Sequence, residues 1–357
     1  MTLLTKWSEG VHTDSIICLE HNKNDTLSSG GEDHQICLWS DEGKVKSKLK
    51  LDDDVTSICF TPSDPNIIYT SSGNKLCLLD IRDFNHVQNC KEFNSEEINE
   101  VSINSKETFI ATCDDSGDIK VVDLREMRLF KTLQRHKYIC SSVKFHPTKG
   151  CELLSAGLDC IVNSWDFMKG RNLSSFDMRE CPSGEDGEIP SGMYMVNPPL
   201  IHSMDVSNDG SKIICGLENG KVQVVKLVGR GKFEPLFDLK NHTRGVSKVK
   251  ILQVGMKEMV ISGGNDGKVL LWEGNKQNTK VQHKKKRVKE EREGKSDQNV
   301  PDSVSDSVKS PVAAIEHGSK INHMTSADVG GKTIVYVADQ SELISLYDIS
   351  KHISPQE

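Results

Sequence analysis

Short stretches in which apolar and polar residues alternate recur along the whole chain, with Gly, Asp, Asn and Ser between them. This pattern predicts β-strands connected by tight turns. Three segments align without a gap: Leu27 to Trp39, Leu153 to Trp165 and Val260 to Trp272. Each consists of an apolar strand, a Gly/Asp turn and an alternating strand that ends in tryptophan, which indicates a β-hairpin.

Four weaker copies of this hairpin lie between and after the three clear ones. They are Ile68 to Leu79, Ile110 to Val122, Ile213 to Val225 and Ile334 to Tyr347. The copies end at positions 39, 79, 122, 165, 225, 272 and 347. Most of the intervals between them are close to the roughly 40–45 residues of one four-stranded propeller blade. Seven copies therefore predict an all-β, seven-bladed β-propeller.

The three clear copies also share one set of polar and aromatic side chains, and here the sequence resembles the WD40 family. In that family a His, a Ser or Thr, an Asp and a Trp form one hydrogen-bonded chain within a blade. The resemblance places the set at His12, Ser29, Asp33 and Trp39; at His136, Ser155, Asp159 and Trp165; and at His242, Ser262, Asp266 and Trp272.

A buried polar network is favourable only when every member has a partner, so we interpret these residues as structural and not as catalytic triads. The other four blades lack most of the set. We expect those blades to depend on apolar packing.

The two ends of the chain are predicted to meet in one blade. After Tyr347 only ten residues follow, too few and too polar for a good outer strand, whereas Leu3 to Trp7 precede the first copy. We therefore expect the N-terminal strand to complete the last blade, with Trp7 as a packing residue. Such closure removes unpaired strand edges, and the chain 1–357 is expected to be one propeller.

Two of the intervals are longer than one blade and predict insertions. Residues 179–199 are rich in Gly, Pro and acidic residues, which predicts a flexible excursion. Residues 275–310 are densely charged, which predicts disorder within blade six, and Val312 to Ile315 then resume as that blade's outer strand. This second insertion contains a basic run formed by Lys284, Lys285, Lys286 and Arg287.

The basic run has two interpretations, a nuclear import signal or a solvated linker. Nucleic-acid binding is disfavoured because no aromatic residues alternate with the charges. The net charge of −7 likewise gives no general attraction to nucleic acid or acidic membranes.

Two adjacent blades end alike, in Leu79-Asp-Ile-Arg82 and Val122-Asp-Leu-Arg125. The run from Ile110 to Arg125 resembles the box found in substrate receptors of cullin-four RING ubiquitin ligases. In that family the Asp-x-Arg ends dock on the adaptor of the ligase. The resemblance implies an adaptor-docking role, on one face of the propeller, for Asp80, Arg82, Asp123 and Arg125.

The planar guanidinium of arginine suits such an interface because it makes paired hydrogen bonds. A local explanation is equally simple, since each Arg can pair with the Asp two residues before it. Leu79 and Val122 also replace the tryptophan of that family.

The cysteines and the N-terminal residues indicate the expected cellular compartment. The eleven cysteines include no CxxC pair, so we interpret them as buried apolar residues in a reducing compartment, without disulfides or metal sites. The N-terminus lacks a hydrophobic signal core and no apolar run is long enough to span a membrane, which predicts a cytoplasmic or nuclear protein.

Motifs of the common enzyme classes are missing from the sequence, which contains no GxSxG, HExxH, P-loop or dinucleotide-binding fingerprint. We expect a non-catalytic scaffold with protein partners, no cofactor, no metal and no membrane contact, monomeric outside its complex. The leading hypothesis is a substrate receptor of a cullin-four ligase. The alternative is a scaffold of another complex, for example a chromatin-associated one, that binds a peptide at the mouth of the central pore.

Overall fold

A computed structural model describes residues 2–8, 10–180, 197–255, 257–274 and 310–353. These residues form seven four-stranded antiparallel sheets, the blades, whose strands we name a to d in their order across each sheet. The predicted all-β seven-bladed propeller is confirmed. Most of the 179–199 insertion and nearly all of 275–310, with its basic run, lie outside the described residues.

The first three blades follow one another without a gap. Blade one contains β2 (Ile16–His21), β3 (Thr26–Gly31), β4 (Gln35–Ser40) and β5 (Val45–Lys50). Blade two contains β6 (Ile58–Phe60), β7 (Ile67–Ser72), β8 (Lys75–Asp80) and β9 (Asn89–Glu92). Blade three contains β10 (Ile98–Ile103), β11 (Phe109–Asp114), β12 (Asp118–Asp123) and β13 (Arg128–Gln134).

The next three blades include the two predicted insertion points. Blade four contains β14 (Cys140–Phe145), β15 (Glu152–Gly157), β16 (Ile161–Asp166) and β17 (Arg171–Asp177). Blade five contains β18 (Ile201–Val206), β19 (Lys212–Leu217), β20 (Lys221–Val228) and β21 (Lys232–Lys240). Blade six contains β22 (Val246–Val254), β23 (Lys257–Gly264), β24 (Lys268–Glu273) and β25 (Ala313–Glu316).

Blade seven joins the two ends of the chain. It contains β26 (Ile321–Val329), β27 (Lys332–Asp339), β28 (Ile344–Asp348) and, as its outer strand, β1 (Thr2–Trp7). Strand β1 pairs antiparallel with β28, so the predicted closure by the N-terminal strand is confirmed. The described residues also include three single helical turns: Ile81–Asp83, Met178–Glu180 and α1 (Ser350–Ile353). No helix among the described residues is long and apolar enough to cross a membrane.

Aromatic side chains fill the seam between the last and the first blade. Trp7 is buried, and its ring centroid lies 6.2 Å from that of Trp39 and 5.6 Å from that of Tyr336. Leu19 and Leu27 of blade one and Ala338 and Ile344 of blade seven belong to the same apolar cluster. The seam is thus packed like a continuous core.

A bulge near the start of strand a turns an extra residue toward the neighbouring blade. In blades three, four, six and seven this residue donates a side-chain hydrogen bond to a carbonyl at the start of the next blade's strand a. The bonds run from Asn99 to Cys140 (3.3 Å), Ser141 to Ile201 (2.5 Å), Ser247 to Ile321 (2.5 Å) and Asn322 to Ile16 (3.1 Å). Bulges commonly re-aim a side chain in this way.

The expectation that no cysteine forms a disulfide was wrong. Cys77 and Cys90 face each other directly across β8 and β9 and form a disulfide. Their spacing of 13 residues carries no sequence signal, because only the strand register makes them opposite. Most of the other described cysteines are buried and free, as expected, although Cys151 is exposed.

Candidate protein-docking face

Hydrogen bonds join the four residues of each WD40-like set. In blade one, His12 Nδ1 donates to Asp33 Oδ1 (3.0 Å), and Ser29 Oγ lies 2.8 Å from both His12 Nε2 and Trp39 Nε1. Blades four and six repeat these contacts within 0.1 Å, through His136, Ser155, Asp159 and Trp165 and through His242, Ser262, Asp266 and Trp272. Each histidine is saturated by its own blade, which leaves it no free nitrogen for chemistry.

The carboxylates of these networks are held in the ionised form. Burial alone would raise the pKa of Asp33, but hydrogen bonds from Thr13 N and His12 bring that pKa below its ordinary value. The pKa of Asp266 is lowered in the same way against the effect of burial. Charge-assisted hydrogen bonds of this kind stabilise the turn that carries the aspartate.

The last residue of strand b distinguishes the blades that have the His–Ser–Asp–Trp set from blades three and seven, which lack it. It is glycine in blades one, four and six, and a Cβ built at Gly264 would lie 2.5 Å from His242 Nδ1 and 2.6 Å from Asp266 Oδ1. In blades three and seven the equivalent residue of the strand register is Asp114 or Asp339. The carboxylate there comes from the strand end instead of the turn.

Blades three and seven therefore have polar networks of their own, and the expectation that they rely on apolar packing was wrong. Asp339 Oδ2 accepts from His317 Nε2 (2.8 Å), and His317 Nδ1 lies 2.7 Å from the Tyr347 hydroxyl. In blade three, Asn94 donates to Asp114 (2.9 Å) and accepts from Thr112 (2.7 Å). Both aspartates are followed two residues later by serine, a signal the sequence did contain.

Asp80 and Arg82 lie where strand c of blade two ends, on the face formed by the a–b and c–d turns, which we call the c–d face. Arg82 Nε is 2.8 Å from Asp80 Oδ1 and its terminal nitrogen is 2.6 Å from Oδ2. The Arg82 side chain nevertheless remains 59% exposed. Asp64 of the a–b turn approaches the same guanidinium at 3.5 Å.

Asp123 and Arg125 occupy the equivalent place in blade three. Arg125 N donates to Asp123 Oδ1 (2.9 Å), as Arg82 N does to Asp80 Oδ1. Within the part of the chain that the structure describes, Arg125 is exposed and no side chain engages its guanidinium. The two Asp-x-Arg turns thus share a backbone geometry but differ in the state of the arginine.

Side-chain contacts connect blades two and three on this face. Ser63 N donates to Glu107 Oε1 (2.6 Å), which joins the two a–b turns. Lys91 Nζ of strand β9 donates to the carbonyl of Met127 (2.7 Å), two residues after Arg125 in the c–d turn of blade three. The two turns are therefore held in one surface.

A third Asp-x-Arg turn, formed by Asp177 and Arg179, was not predicted from the sequence. Arg179 donates its Nε to Asp177 Oδ1 (2.8 Å) and its terminal nitrogen to Oδ2 (2.6 Å), as Arg82 does to Asp80. This turn follows strand d of blade four and so lies on the opposite face, formed by the b–c and d–a turns. The local Asp–Arg fork by itself therefore does not define a face.

The central channel is lined by the innermost strands and is filled by charged side chains. Glu100 Oε1 lies 2.9 Å from Lys144 Nζ in the next blade and 3.7 Å from Lys248 Nζ on the other side of the ring. About 250 Å³ of space remains in this region. Burial opposes ionisation of the Glu100 carboxyl, but the nearby Lys144 and Lys248 ammonium groups outweigh this effect and lower its pKa.

Seven blades, the His–Ser–Asp–Trp networks and the N-terminal closure together define a WD40-repeat β-propeller. The family described as "WD domain, G-beta repeat" matches residues 5–40, 127–166 and 233–273, which contain the three networks. The chain is thus a seven-bladed β-propeller with WD40 repeats, a fold that serves as a scaffold for protein interactions.

Among known proteins, the chain is similar to the WD repeat-containing protein 53 homolog of Dictyostelium discoideum, with 26% identity over 95% of this chain and 92% of that protein. It is also similar to Nuclear distribution protein PAC1 of Candida albicans, with 25% identity over 48% of this chain and 38% of that protein. The Guanine nucleotide-binding protein subunit beta-like protein of Encephalitozoon cuniculi is 26% identical over 48% of this chain and 52% of its own length.

Proposed function

We propose that this propeller is a substrate receptor of a cullin-four RING ubiquitin ligase and docks on the ligase adaptor through its c–d face. The observation that supports this is the pair of exposed arginines, Arg82 and Arg125, which follow equivalent strands of adjacent blades on that face. Arginines that an interface desolvates are frequent hot spots.

The two arginines contribute unequally in this proposal. Arg82 is already oriented by Asp80, so its binding costs little side-chain entropy, but a partner's acceptor must compete with that carboxylate. Arg125 has its full set of side-chain donors available for a partner. We therefore expect Arg125→Ala to weaken adaptor binding more than Arg82→Ala.

The opposite face is left for the client protein. A polar cleft of about 710 Å³ lies there between blades six and seven, lined by Thr243, Arg244, Asn265, Lys320 and Ser341 among others. A propeller can hold two partners at once because its two faces are separate surfaces.

Affinity purification of three tagged proteins tests the docking proposal. The ligase adaptor is expected to co-purify with wild type and with Arg179→Ala, and to be lost from Arg82→Ala/Arg125→Ala. Arg179 is the matched control because it has the same fork with its aspartate on the opposite face. Equal thermal unfolding of all three proteins confirms that folding is intact.

Two results would rule the proposal out. One is an adaptor that is missing from the wild-type eluate under conditions in which a known receptor retrieves it. The other is equal adaptor recovery with wild type and with the double variant.

The alternative, a scaffold of another complex (for example a chromatin-associated one) that binds a peptide at the mouth of the central pore, has less support. A peptide entering the channel would have to displace the Glu100–Lys248 contact and leave buried charges without partners. The Asp-x-Arg turns need no such rearrangement.

We further propose nuclear import through Lys284–Arg287, which lie outside the described residues. Alanine substitution of these four residues is expected to shift a fluorescent fusion toward the cytoplasm, and an unchanged distribution would contradict the proposal.

A further inference from the structure

The side chain of His21 lies at the seam between blades one and seven, and its Nε2 has no hydrogen-bond partner among the described residues. It is the last residue of strand β2, and its ring stacks on Tyr336 at a centroid distance of 5.6 Å. Its side chain is only 6% exposed. No residue in the described part of the chain forms a hydrogen bond with His21 Nε2. A buried ring nitrogen without a partner is costly and calls for a ligand.

Two carboxylates converge on this nitrogen from the c–d face. Asp25 lies in the a–b turn of blade one, and Asp41 lies in its c–d turn. One donor atom from each of the three residues lies within 4.8 Å of the other two, and Asp41 Oδ1 is 4.0 Å from His21 Nε2. Both aspartates are exposed, so their side chains can rotate toward an ion that arrives from solvent.

We propose that His21, Asp25 and Asp41 bind one divalent transition-metal ion, with Zn²⁺ as the best match. One imidazole nitrogen and two carboxylate oxygens are donors that Zn²⁺ accepts at about 2.0–2.2 Å, and a water or a partner's side chain completes four ligands. The present separations exceed those in a closed site, so binding must draw the two carboxylates inward. Their exposure makes this movement inexpensive.

The charges around the site favour a cation. The carboxylates of Asp25 and Asp41 carry the same charge within 4.8 Å of each other, and a bound cation would relieve their repulsion. Lys46 is the nearby opposing charge, and it donates its Nζ at 2.8 Å to the hydroxyl of Thr26, the residue after Asp25. Removing that positive charge should therefore strengthen metal binding.

A second cluster of the same composition provides an internal control. His34, Asp53 and Asp54 also converge, but His34 Nε2 lies 3.2 Å from Asp54 Oδ1 and its side chain is 38% exposed. The imidazole there already has a partner and is partly exposed to solvent. His34→Gln is thus a matched control for His21→Gln. It changes the same residue type beside two aspartates, but the nitrogen that it removes already has a carboxylate partner.

Zinc binding to the full-length protein tests the proposal, measured by competition with a chromophoric chelator. Wild type and His34→Gln are expected to bind one Zn²⁺ with the same affinity. His21→Gln and Asp41→Asn are expected to bind it at least about tenfold more weakly, and Lys46→Gln more tightly. Added Zn²⁺ should raise the Tm of wild type but not that of Asp41→Asn, because the site joins the seam.

Asp41→Asn keeps the test decisive if His21→Gln fails to fold, because Asp41 is exposed and its substitution leaves the aromatic seam intact. Wild type that binds no Zn²⁺, or the same affinity in wild type and Asp41→Asn, would overturn the proposal. Loss of binding in His34→Gln alone would also overturn it and would assign the ion to the other cluster.

Discussion

Asn322 of blade seven donates its Nδ2 to the carbonyl of Ile16 in blade one, at 3.1 Å. The same amide group lies 2.8 Å from the Asp339 carbonyl, and Ile16 N in turn donates to the Ser341 carbonyl at 3.2 Å. Asn322 occupies the bulge position from which other blades bind their successors. The junction between blades seven and one therefore has the same hydrogen-bonding pattern as the junctions between consecutive blades. Strand β1 and the aromatic cluster provide additional contacts there.

Trp7→Ala is expected to lower the free energy of unfolding by about 3–5 kcal/mol. The substitution removes the ring that contacts both Trp39 and Tyr336, and it weakens the pairing of β1 with β28. Urea unfolding measures the change. Leu4→Ala, in the same strand but 46% exposed, is the control and should stay within about 0.5 kcal/mol of wild type. Equal losses in the two variants would contradict the role given to Trp7.

Gly264→Ala is expected to destabilise the protein by roughly 1–3 kcal/mol, because the added methyl group would collide with His242 and Asp266. Gly150→Ala is the control, since its Cβ would meet nothing closer than 3.9 Å. Thermal unfolding should separate the two variants by several degrees. A wild-type Tm for Gly264→Ala would show that the blade-six network is not tightly packed.

In the variant Asp339→Asn, the free energy of unfolding is expected to fall less steeply than in wild type as the pH is lowered. Hydrogen bonds from His317 and Ser341 outweigh burial and lower the pKa of Asp339 to about 2. Between about pH 4 and pH 2 the unfolded chain therefore binds a proton that the folded chain does not, so wild type loses stability as the pH falls through that window.

The variant, which cannot ionise, should be less stable at pH 7 but should lose about 1–2 kcal/mol less than wild type on acidification. Urea unfolding at pH 7, 4 and 3 measures both effects. Parallel curves for the two proteins would contradict the assignment of the lowered pKa to Asp339.

Glu100→Gln is expected to cost about 3–5 kcal/mol, because Lys144 and Lys248 would keep buried charge without their shared carboxylate. Adding Lys248→Met should recover part of this loss by removing one of the two charges. Urea unfolding of the single variants and the double variant completes the cycle. Simple additivity of the two substitutions would show that Glu100 and Lys248 do not interact across the channel.

Local pattern alone predicted much of this molecule. The hairpins ending in Trp39, Trp165 and Trp272, together with four weaker copies, set the blade length and count, because strand alternation and turn residues are properties of neighbouring positions. The His–Ser–Asp–Trp sets were predictable through the resemblance to the WD40 family, supported by the constant spacing of Ser, Asp and Trp in the three hairpins. Even the outer strand Thr2–Trp7 followed from the shortage of residues after Tyr347.

Tertiary structure alone decided the rest, because strand register and ring closure bring together residues that no spacing rule relates. Register across β8 and β9 made partners of Cys77 and Cys90. Closure stacked His21 on Tyr336, and the turns of blade one placed Asp25 and Asp41 beside its ring nitrogen. The sequence by itself determined which elements form and how many, since those depend on contacts along the chain. Which side chains meet across blades depended on how seven twisted sheets fill a circle.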